Sequence, residues 1–213
     1  MIEQRKKLVD NLIDKGYLKS KKVIKAFLKI PRENFIPENL KNSAYYDTPL
    51  EIGNRQTISA PHMIAIMCEA LDFKEGQKVL EIGTGSGYHA AIVSEIIGKK
   101  TKIYSIERFS DLAKKAKERI KKIEIKNIEI IVGDGSLGYK KESPYDIIYL
   151  TCAAPNIPKT LIEQLKDSGK LLIPVGKMFC DLILLKKDKG EIIKKNLGGC
   201  AFVPLIGKYG HKD

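Results

Sequence analysis

The 213-residue sequence predicts a doubly wound α/β fold, with a mostly parallel sheet and a small N-terminal helical cap. Three observations lead to this prediction. From residue 77 onward, short apolar runs alternate with helical segments, as in parallel sheets that are covered on both faces. The first of these runs leads directly into a glycine-rich turn and a helix. In the first 50 residues, by contrast, apolar residues recur at helical spacing.

Two short helices are expected in the N-terminal region. The first would place Leu8, Leu12 and Ile13 on one helical face. Ser20 is suited to cap the second helix. The apolar stripe of that second helix would be formed by Val23, Ile24, Phe27 and Leu28. From 31 to 60, prolines and glycines predict loops and short elements.

The rest of the chain is expected to form the sheet and its covering helices. Five strands are predicted at 78–82, 101–106, 127–132, 145–150 and 170–175. Helices are predicted at 87–97, 109–122 and 158–166. The last two apolar runs, 181–187 and 200–205, have no clear helix between them. These two runs are therefore expected to form an antiparallel edge of the sheet.

Composition excludes several classes of protein. Lys and Arg number 38 against 26 Asp and Glu, and the resulting net charge of +12 by itself favours nucleic acid or an anionic surface as partner. No apolar run approaches the roughly 18 residues of a membrane-spanning helix, and no secretory signal is visible. The four cysteines form no CxxC pair and the three histidines are scattered, so no disulfide framework or metal site is expected. A reduced cytoplasmic protein is the resulting expectation.

A tight glycine loop joins the first predicted strand of the sheet to the following helix. Its sequence is Gly83-Thr84-Gly85-Ser86-Gly87, one residue tighter than the dinucleotide fingerprint GxGxxG. Glycines allow left-handed backbone and close approach of a ligand, and the amides that open a helix can receive an anionic group. A structural turn would show the same glycines, so the loop alone is a weak signal.

Two acidic residues are predicted at the same edge of the sheet. Glu107 ends the second strand, 20 residues after Gly87, where a carboxylate can accept two hydrogen bonds from a ribose diol. Asp134, in the Gly133-Asp134-Gly135 turn after the third strand, could accept a hydrogen bond from an exocyclic adenine amine. Asp-Gly is also an ordinary turn pair. Because the glycine loop carries no Lys, the combination favours S-adenosylmethionine over a dinucleotide or ATP.

A second motif, QTISAPHM, occupies residues 56–63. Pro61 is suited to the first turn of a helix that continues through Leu71, which would put Ser59 close to the N-cap. Serine is among the best capping residues. From the residues alone, capping is therefore favoured over a catalytic role for Ser59.

The block YDTPLEIG…QTISAPHM at 46–63, followed by VLEIGTGSGY at 79–88, resembles the protein-L-isoaspartate (D-aspartate) O-methyltransferases. The resemblance covers most of the chain and includes CAFVPLIGKYG at 200–210. A GxGxG loop alone would indicate only the broad superfamily of S-adenosylmethionine-dependent methyltransferases with a Rossmann-like fold. The sequence departs from the family pattern at Ser168, where Gly is often found, and at Asn54-Arg55, where small residues are common.

The resemblance implies methyl transfer from S-adenosyl-L-methionine to the free α-carboxylate of L-isoaspartyl residues in damaged proteins and peptides, with acceptance of D-aspartyl residues left open. It implies that Ser59 is the catalytic residue. Cofactor contacts are expected at Gln56, Thr57, Ile58, Gly83, Thr84, Gly85, Ser86, Gly87, Glu107, Asp134 and Gly135. It implies a single methyltransferase domain over 1–213, with the helical cap and substrate-side loop in 1–59 and the cofactor-binding α/β core in 60–213. No metal is expected.

This chemistry needs few catalytic groups. A free α-carboxylate has a pKa of about 3.3–3.7, so it is already a nucleophile at neutral pH and needs no general base. Catalysis would depend mainly on holding the oxygen, the methyl carbon and the sulfur in line. A hydroxyl such as that of Ser59 could orient the acceptor.

Two alternatives stay open at this point. A nucleic-acid methyltransferase on the same fold would suit the net charge of +12, although the Asn/Asp-Pro-Pro-aromatic turn of amine-alkylating enzymes is absent from 150–155. Cys152 follows a Thr, as in some RNA cytosine methyltransferases, but is better interpreted as a small buried residue. The other alternative is a non-catalytic module that binds nucleotide or nucleic acid. We expect a monomer that acts on isoaspartyl proteins and peptides without nucleic acid or membrane, its Lys surplus being solvated surface.

Overall fold

The N-terminal region combines helices with a small hairpin. The computed structural model describes residues 1–177 and 179–212. Helices α1 (Ile2–Asp14) and α2 (Lys21–Lys29) come first, and two 3₁₀ turns follow. The chain then forms a short antiparallel hairpin of β1 (Leu50–Gly53) and β2 (Gln56–Ile58). The predicted helical cap is therefore confirmed in its helices and completed by a hairpin that the sequence did not reveal.

The predicted apolar faces of the two cap helices are right only in part. Ile13 is 38% exposed and Leu28 is 40% exposed, so these two apolar residues lie outside the buried faces of their helices. Val9 and Ala26 are buried. The contact faces are thus rotated slightly from the predicted ones, because α2 packs against two neighbouring helices as well as against α1.

The remaining elements form one layered α/β unit. Its helices are α3 (Pro61–Leu71), α4 (Tyr88–Ile97), α5 (Ser110–Lys122) and α6 (Lys159–Glu163). Its strands are β3 (Val79–Ile82), β4 (Ile103–Glu107), β5 (Ile128–Val132), β6 (Tyr145–Leu150), β7 (Leu165–Gly176), β8 (Cys180–Asp188) and β9 (Glu191–Cys200). The described residues order these strands β5-β4-β3-β6-β7-β8-β9. Neighbours from β5 to β7 are parallel, whereas β8 and β9 are antiparallel.

The strand order confirms the doubly wound prediction and locates a crevice. The chain winds from β3 outward to β4 and β5, then returns to place β6 on the other side of β3. Ligands bind at such a switch point, outside the carboxyl ends of the strands. The glycine loop follows β3, so it lies where the winding direction changes.

The C-terminal edge differs from the prediction. The antiparallel edge is present, but its last strand is Glu191–Cys200 and not 200–205. Lys194 and Lys195 of this strand are exposed, as is common for edge strands, which must avoid pairing with other chains. The strand therefore lacks the apolar run by which the other strands were predicted. Helix α6 is also shorter than the predicted 158–166, because β7 already begins at Leu165.

Both departures from the family pattern adopt left-handed backbone. Asn54 and Arg55, the turn of the β1–β2 hairpin, have φ of 51° and 56°, and Ser168 has φ of 66°. A two-residue hairpin turn of this kind requires positive φ at both positions, which Gly and Asn adopt most easily. This conformation explains why small residues are favoured at these sites.

Apolar residues of the cap and of the sheet pack into one core cluster. Leu12 of α1 and Phe27 of α2 belong to the same cluster as Val93 of α4 and Leu172 of β7. Ser20 ties the cap to the sheet side as well. It holds the N-cap position of α2, but its hydroxyl donates to Glu69 of α3 instead of capping the helix. In the described part of the chain, no helix has both the length and the apolar character that crossing a bilayer requires.

Candidate active site

A cavity lies at the carboxyl ends of β3, β4 and β6. It encloses about 710 Å³, part of which is open to solvent. Its lining comes from several parts of the chain, which include residues 56–59, the glycine loop and residues 203–206. The crevice expected from the strand order is therefore present, and the segment that follows β9 forms part of its wall.

The glycine loop forms the floor of this cavity. Gly83 has φ of 95°, and a Cβ atom there would lie 2.3 Å from the Thr151 hydroxyl oxygen. That hydroxyl donates to the carbonyl of Gly83. Gly87 has φ of 88° and is not among the lining residues; a Cβ atom there would lie 3.1 Å from Ile120 of α5. Residues 83–86 thus face the cavity, whereas Gly87 allows two helices to pack closely.

Glu107 connects the end of β4 to the glycine loop. One carboxylate oxygen accepts a hydrogen bond from the Gly85 amide at 2.8 Å, and the other accepts one from the Phe109 amide at 3.0 Å. The side chain is buried and lines the cavity. A carboxylate has about four lone-pair sites, so both oxygens keep acceptor capacity for a ligand.

Asp134 lies beside the cavity but does not line it, whereas its neighbours Gly133 and Gly135 do. Its carboxylate accepts hydrogen bonds from the backbone amide and the hydroxyl of Ser136, and from the Lys208 amide at 2.7 Å. Burial acts to raise the pKa of Asp134, but the hydrogen bonds from Lys208 and Ser136 outweigh it and lower the pKa. In this structure the carboxylate fastens the C-terminal segment to the turn after β5, and the adenine contact stays a prediction.

The motif at 56–59 forms the opposite wall. Gln56, Thr57, Ile58 and Ser59 all line the cavity. Ala60 is the N-cap of α3, so the favoured interpretation of Ser59 as the capping residue was wrong. Among the described residues, no group forms a hydrogen bond with the Ser59 hydroxyl, which leaves it available to a ligand.

A buried hydrogen-bond network supports the loop from below. The Glu81 carboxyl accepts a hydrogen bond from the Tyr149 hydroxyl at 2.8 Å and another from the Ser105 hydroxyl. Ser105 in turn shares a hydrogen bond with the Thr84 hydroxyl. Burial raises the pKa of Glu81 to about 8, although both hydrogen bonds act in the opposite direction. The network fixes Thr84 at the cavity floor.

Comparison with known proteins identifies the family. The sequence model of the family described as protein-L-isoaspartate(D-aspartate) O-methyltransferase matches residues 3–210. The chain belongs to this family. A protein-L-isoaspartate O-methyltransferase of Methanococcus aeolicus is 58% identical over 209 residues, which cover 98% of this chain and 97% of the relative. Protein-L-isoaspartate O-methyltransferase 2 of Archaeoglobus fulgidus is 56% identical, covering 99% and 96% of the two chains.

Solved structures of the isoaspartate O-methyltransferase family share the whole fold. One such enzyme superposes with a TM-score of 0.89 at 31% identity, covering 97% of this chain and 67% of the other. A Plasmodium falciparum protein described as a β-aspartate methyltransferase in complex with S-adenosyl-L-homocysteine gives a TM-score of 0.85 at 30% identity, covering 95% and 98%. These matches include the cap, so the likeness extends beyond the sheet alone.

Several cavity residues escaped the sequence interpretation, although the isoaspartate O-methyltransferase family match includes them. They include Ile64, His89, Thr151 and the segment 203–206, whereas Cys152 was already interpreted as a small buried residue, which it is. In the sequence, residues 203–206 belong to the block CAFVPLIGKYG, which matches the family but whose hydrophobicity predicts a strand and not a cavity wall. Burial raises the pKa of the Cys152 thiol, so it is protonated at neutral pH and unsuited to act as a nucleophile. Within residues 1–177 and 179–212, no group of three or more His, Cys, Asp or Glu side chains is placed to hold a metal ion.

Proposed function

We propose that this protein transfers the methyl group of S-adenosyl-L-methionine to the free α-carboxylate of L-isoaspartyl residues in damaged proteins and peptides. The observation that carries the proposal is the single cavity that joins the glycine loop, Glu107 and Ser59. Its family membership supports the same reaction. The S-adenosyl-L-homocysteine held by the Plasmodium falciparum neighbour is the product that S-adenosylmethionine leaves after methyl transfer.

The donor side of the cavity fits an adenosyl group. Glu107 presents two carboxylate oxygens next to the glycine loop, which suits the two hydroxyls of a ribose. Gly83 and Gly135 line the cavity, and both must be glycine because a Cβ atom would collide with Thr151 at the first position and with Ile82 at the second. When bound, S-adenosylmethionine supplies an electrophilic methyl group. The residues that line the cavity must hold this methyl group, and the ribose of the cofactor, in one fixed position.

The acceptor side needs orientation more than proton transfer. An isoaspartyl α-carboxylate is ionised at neutral pH. The Ser59 hydroxyl can donate a hydrogen bond to it and hold one oxygen towards the methyl group without removing its charge. The methyl ester product then loses methanol when the following backbone nitrogen attacks it. The resulting succinimide hydrolyses in part to normal aspartate, which completes the repair.

The organisation of the chain completes the proposal. We infer that residues 1–213 act as one domain, with 1–59 as cap and substrate-side loop and 60–213 as cofactor-binding core, because apolar side chains of both parts share one core cluster. We also infer a monomer that works in the reduced cytoplasm without nucleic acid. The four cysteines, which are all free, support a reducing compartment.

The experiment that tests this function uses methyl-labelled S-adenosylmethionine. The protein is incubated with an isoaspartyl peptide, the same peptide with ordinary aspartate, its D-aspartyl form, or RNA. We expect label on the isoaspartyl peptide and none on the aspartyl peptide or RNA. The D-aspartyl peptide defines the breadth of the acceptor. Label on RNA alone would overturn the proposal, and cofactor binding without any transfer would favour a non-catalytic module.

A further inference from the structure

His89 is buried in the wall of the cavity and has one nitrogen without a partner. It is the second residue of α4, is 5% exposed and lines the cavity. Its Nε2 lies 3.5 Å from the sulfur of Cys68 on α3, and its ring packs against Tyr149 with centroids 4.6 Å apart. No described residue forms a hydrogen bond with Nδ1. Leaving a buried polar atom unpaired is costly, so such an atom beside a cavity points to a ligand group.

The strand order indicates which part of the cofactor would reach His89. Glu107, the ribose acceptor of the proposed function, ends β4 on one side of β3, and Gly135, which follows β5, lines the cavity on that same side, next to where the adenine would lie. Tyr149, which packs on the His89 ring, belongs to β6 on the opposite side of β3. An adenosyl group on the β4–β5 side leaves the α-amino-acid end to extend across β3 towards β6 and His89.

The imidazole enters this contact uncharged. Burial lowers the pKa of His89 to about 3, so it is neutral throughout the physiological range. A neutral imidazole carries one donor and one acceptor nitrogen. Nδ1 can therefore donate to the α-carboxylate of the cofactor or accept from its α-ammonium, according to the role that Nε2 takes towards Cys68. The α-amino-acid end offers both kinds of partner.

We propose that His89 Nδ1 binds the α-amino-acid end of S-adenosylmethionine and so distinguishes the complete cofactor from adenosyl thioethers that lack this end. The inference rests on the proposed function, because it takes the ribose position from Glu107. It assigns to His89 a role in cofactor selection, although His89 belongs neither to the glycine loop at 83–87 nor to the motif at 56–63. The His89 imidazole would hold the methionine chain of the cofactor on the β6 side. This position would in turn orient the sulfur, with its methyl group, towards Ser59.

The test compares two ligands by calorimetry. S-adenosylhomocysteine has the amino-acid end, whereas 5′-methylthioadenosine lacks it. His89→Phe keeps a ring against Tyr149 but removes both nitrogens. We expect this variant to bind S-adenosylhomocysteine about tenfold more weakly, as for the loss of one hydrogen bond to a charged group, and 5′-methylthioadenosine within about twofold of the unmodified protein. His89→Asn places a polar atom near the Nδ1 position and should recover most of the difference.

Cys68→Ala is the matched control, because it removes the partner of Nε2 and leaves Nδ1 intact. If it reproduces the effect of His89→Phe, the Cys68 contact and not Nδ1 is responsible, and the proposal is overturned. Equal weakening of both ligands by His89→Phe would indicate altered packing and would also overturn it. If His89→Phe binds both ligands as tightly as the unmodified protein does, the proposal is likewise overturned. If the unmodified protein binds neither ligand, the failure lies with the proposed function itself.

Discussion

The guanidinium group of Arg32 donates a hydrogen bond to the backbone carbonyl of Ser59 at 2.9 Å. A second hydrogen bond reaches the carbonyl of Thr48 at 3.2 Å, and the guanidinium carbon lies 5.4 Å from the centre of the Tyr88 ring. Arg32 is completely buried, and burial lowers its pKa to about 10, so it is still charged at neutral pH. Arg32 thus anchors the backbone at Ser59, the residue for which we propose contact with the acceptor.

Replacing Arg32 should affect catalysis as well as stability. Arg32→Met removes a buried charged donor from the carbonyls of Ser59 and Thr48, so we expect the free energy of unfolding to fall by about 3 kcal/mol in denaturant titrations. Because Ser59 loses its backbone anchor, kcat should fall while the Kd of S-adenosylhomocysteine stays within about threefold. Arg32→Lys should recover part of kcat.

Arg5 offers a control for this prediction within the same cap. It is hydrogen-bonded to Tyr45, to Glu33 and to the carbonyl of Leu28, but not to residues 48–59. Arg5→Met should therefore lower stability without a matching loss of kcat. An equal loss of kcat in the two variants would show that Arg32 acts through the cap in general and not through Ser59.

Ser59→Ala should separate methyl transfer from cofactor binding. The hydroxyl has no partner among the described residues, so its removal costs little stability, and its proposed contact is with the acceptor. We expect loss of most methyl transfer to an isoaspartyl peptide with an unchanged Kd for S-adenosylhomocysteine. Turnover and calorimetry on the same preparation measure both quantities. Unchanged turnover would remove Ser59 from the chemistry.

Glu107→Gln should weaken cofactor binding. A hydrogen bond to a charged group contributes about 1.5–3 kcal/mol, so the Kd of S-adenosylhomocysteine should rise by at least about tenfold in calorimetry. Asp134→Asn is the informative comparison, because Asp134 is bonded to Ser136 and Lys208 and does not line the cavity. In Asp134→Asn, the Kd of S-adenosylhomocysteine should change by less than about threefold, whereas the melting temperature of the protein should fall. Similar effects of the two changes on Kd would instead favour a direct adenine contact at Asp134.

Glu81 should make the protein less stable as the pH rises. In an unfolded chain a Glu titrates near pH 4.3, but burial raises the pKa of Glu81 to about 8 in the fold. Between these values the native state holds one more proton than the unfolded state, so the stability falls with a slope of up to about 1.4 kcal/mol per pH unit.

Glu81→Gln removes this titration and keeps the shape of the side chain. Its stability relative to the unmodified protein should therefore increase from pH 5 to pH 8, as measured by urea unfolding at each pH. Glu129→Gln, on the edge strand β5, serves as a control with an ion-paired surface carboxylate. A constant difference across this range would contradict a protonated Glu81.

The sequence allowed the sheet and half of the site to be predicted for identifiable reasons. Strand β3 is completely buried, so its apolar run was unmistakable, and the glycine loop follows it without interruption. Edge strand β9 was missed because solvent exposure allows Lys and Gly where a central strand would have apolar residues. Local residue preferences alone favoured a capping role for Ser59, which is wrong because Ala60 is the N-cap of α3, and only the family resemblance pointed to Ser59 as the catalytic residue. Local patterns could not show that residues 203–206 line the same cavity as the glycine loop, because that proximity depends on tertiary folding.

The wall formed by residues 203–206 has a consequence for shortened chains. These residues follow every described strand of the sheet in the sequence, and the segment after them is held by the hydrogen bond between Asp134 and the Lys208 amide. A chain cut before residue 203 would contain all of these strands but lack one wall of the cavity. We expect such a chain to bind S-adenosylmethionine more weakly than the 213-residue chain, even where its sheet is folded.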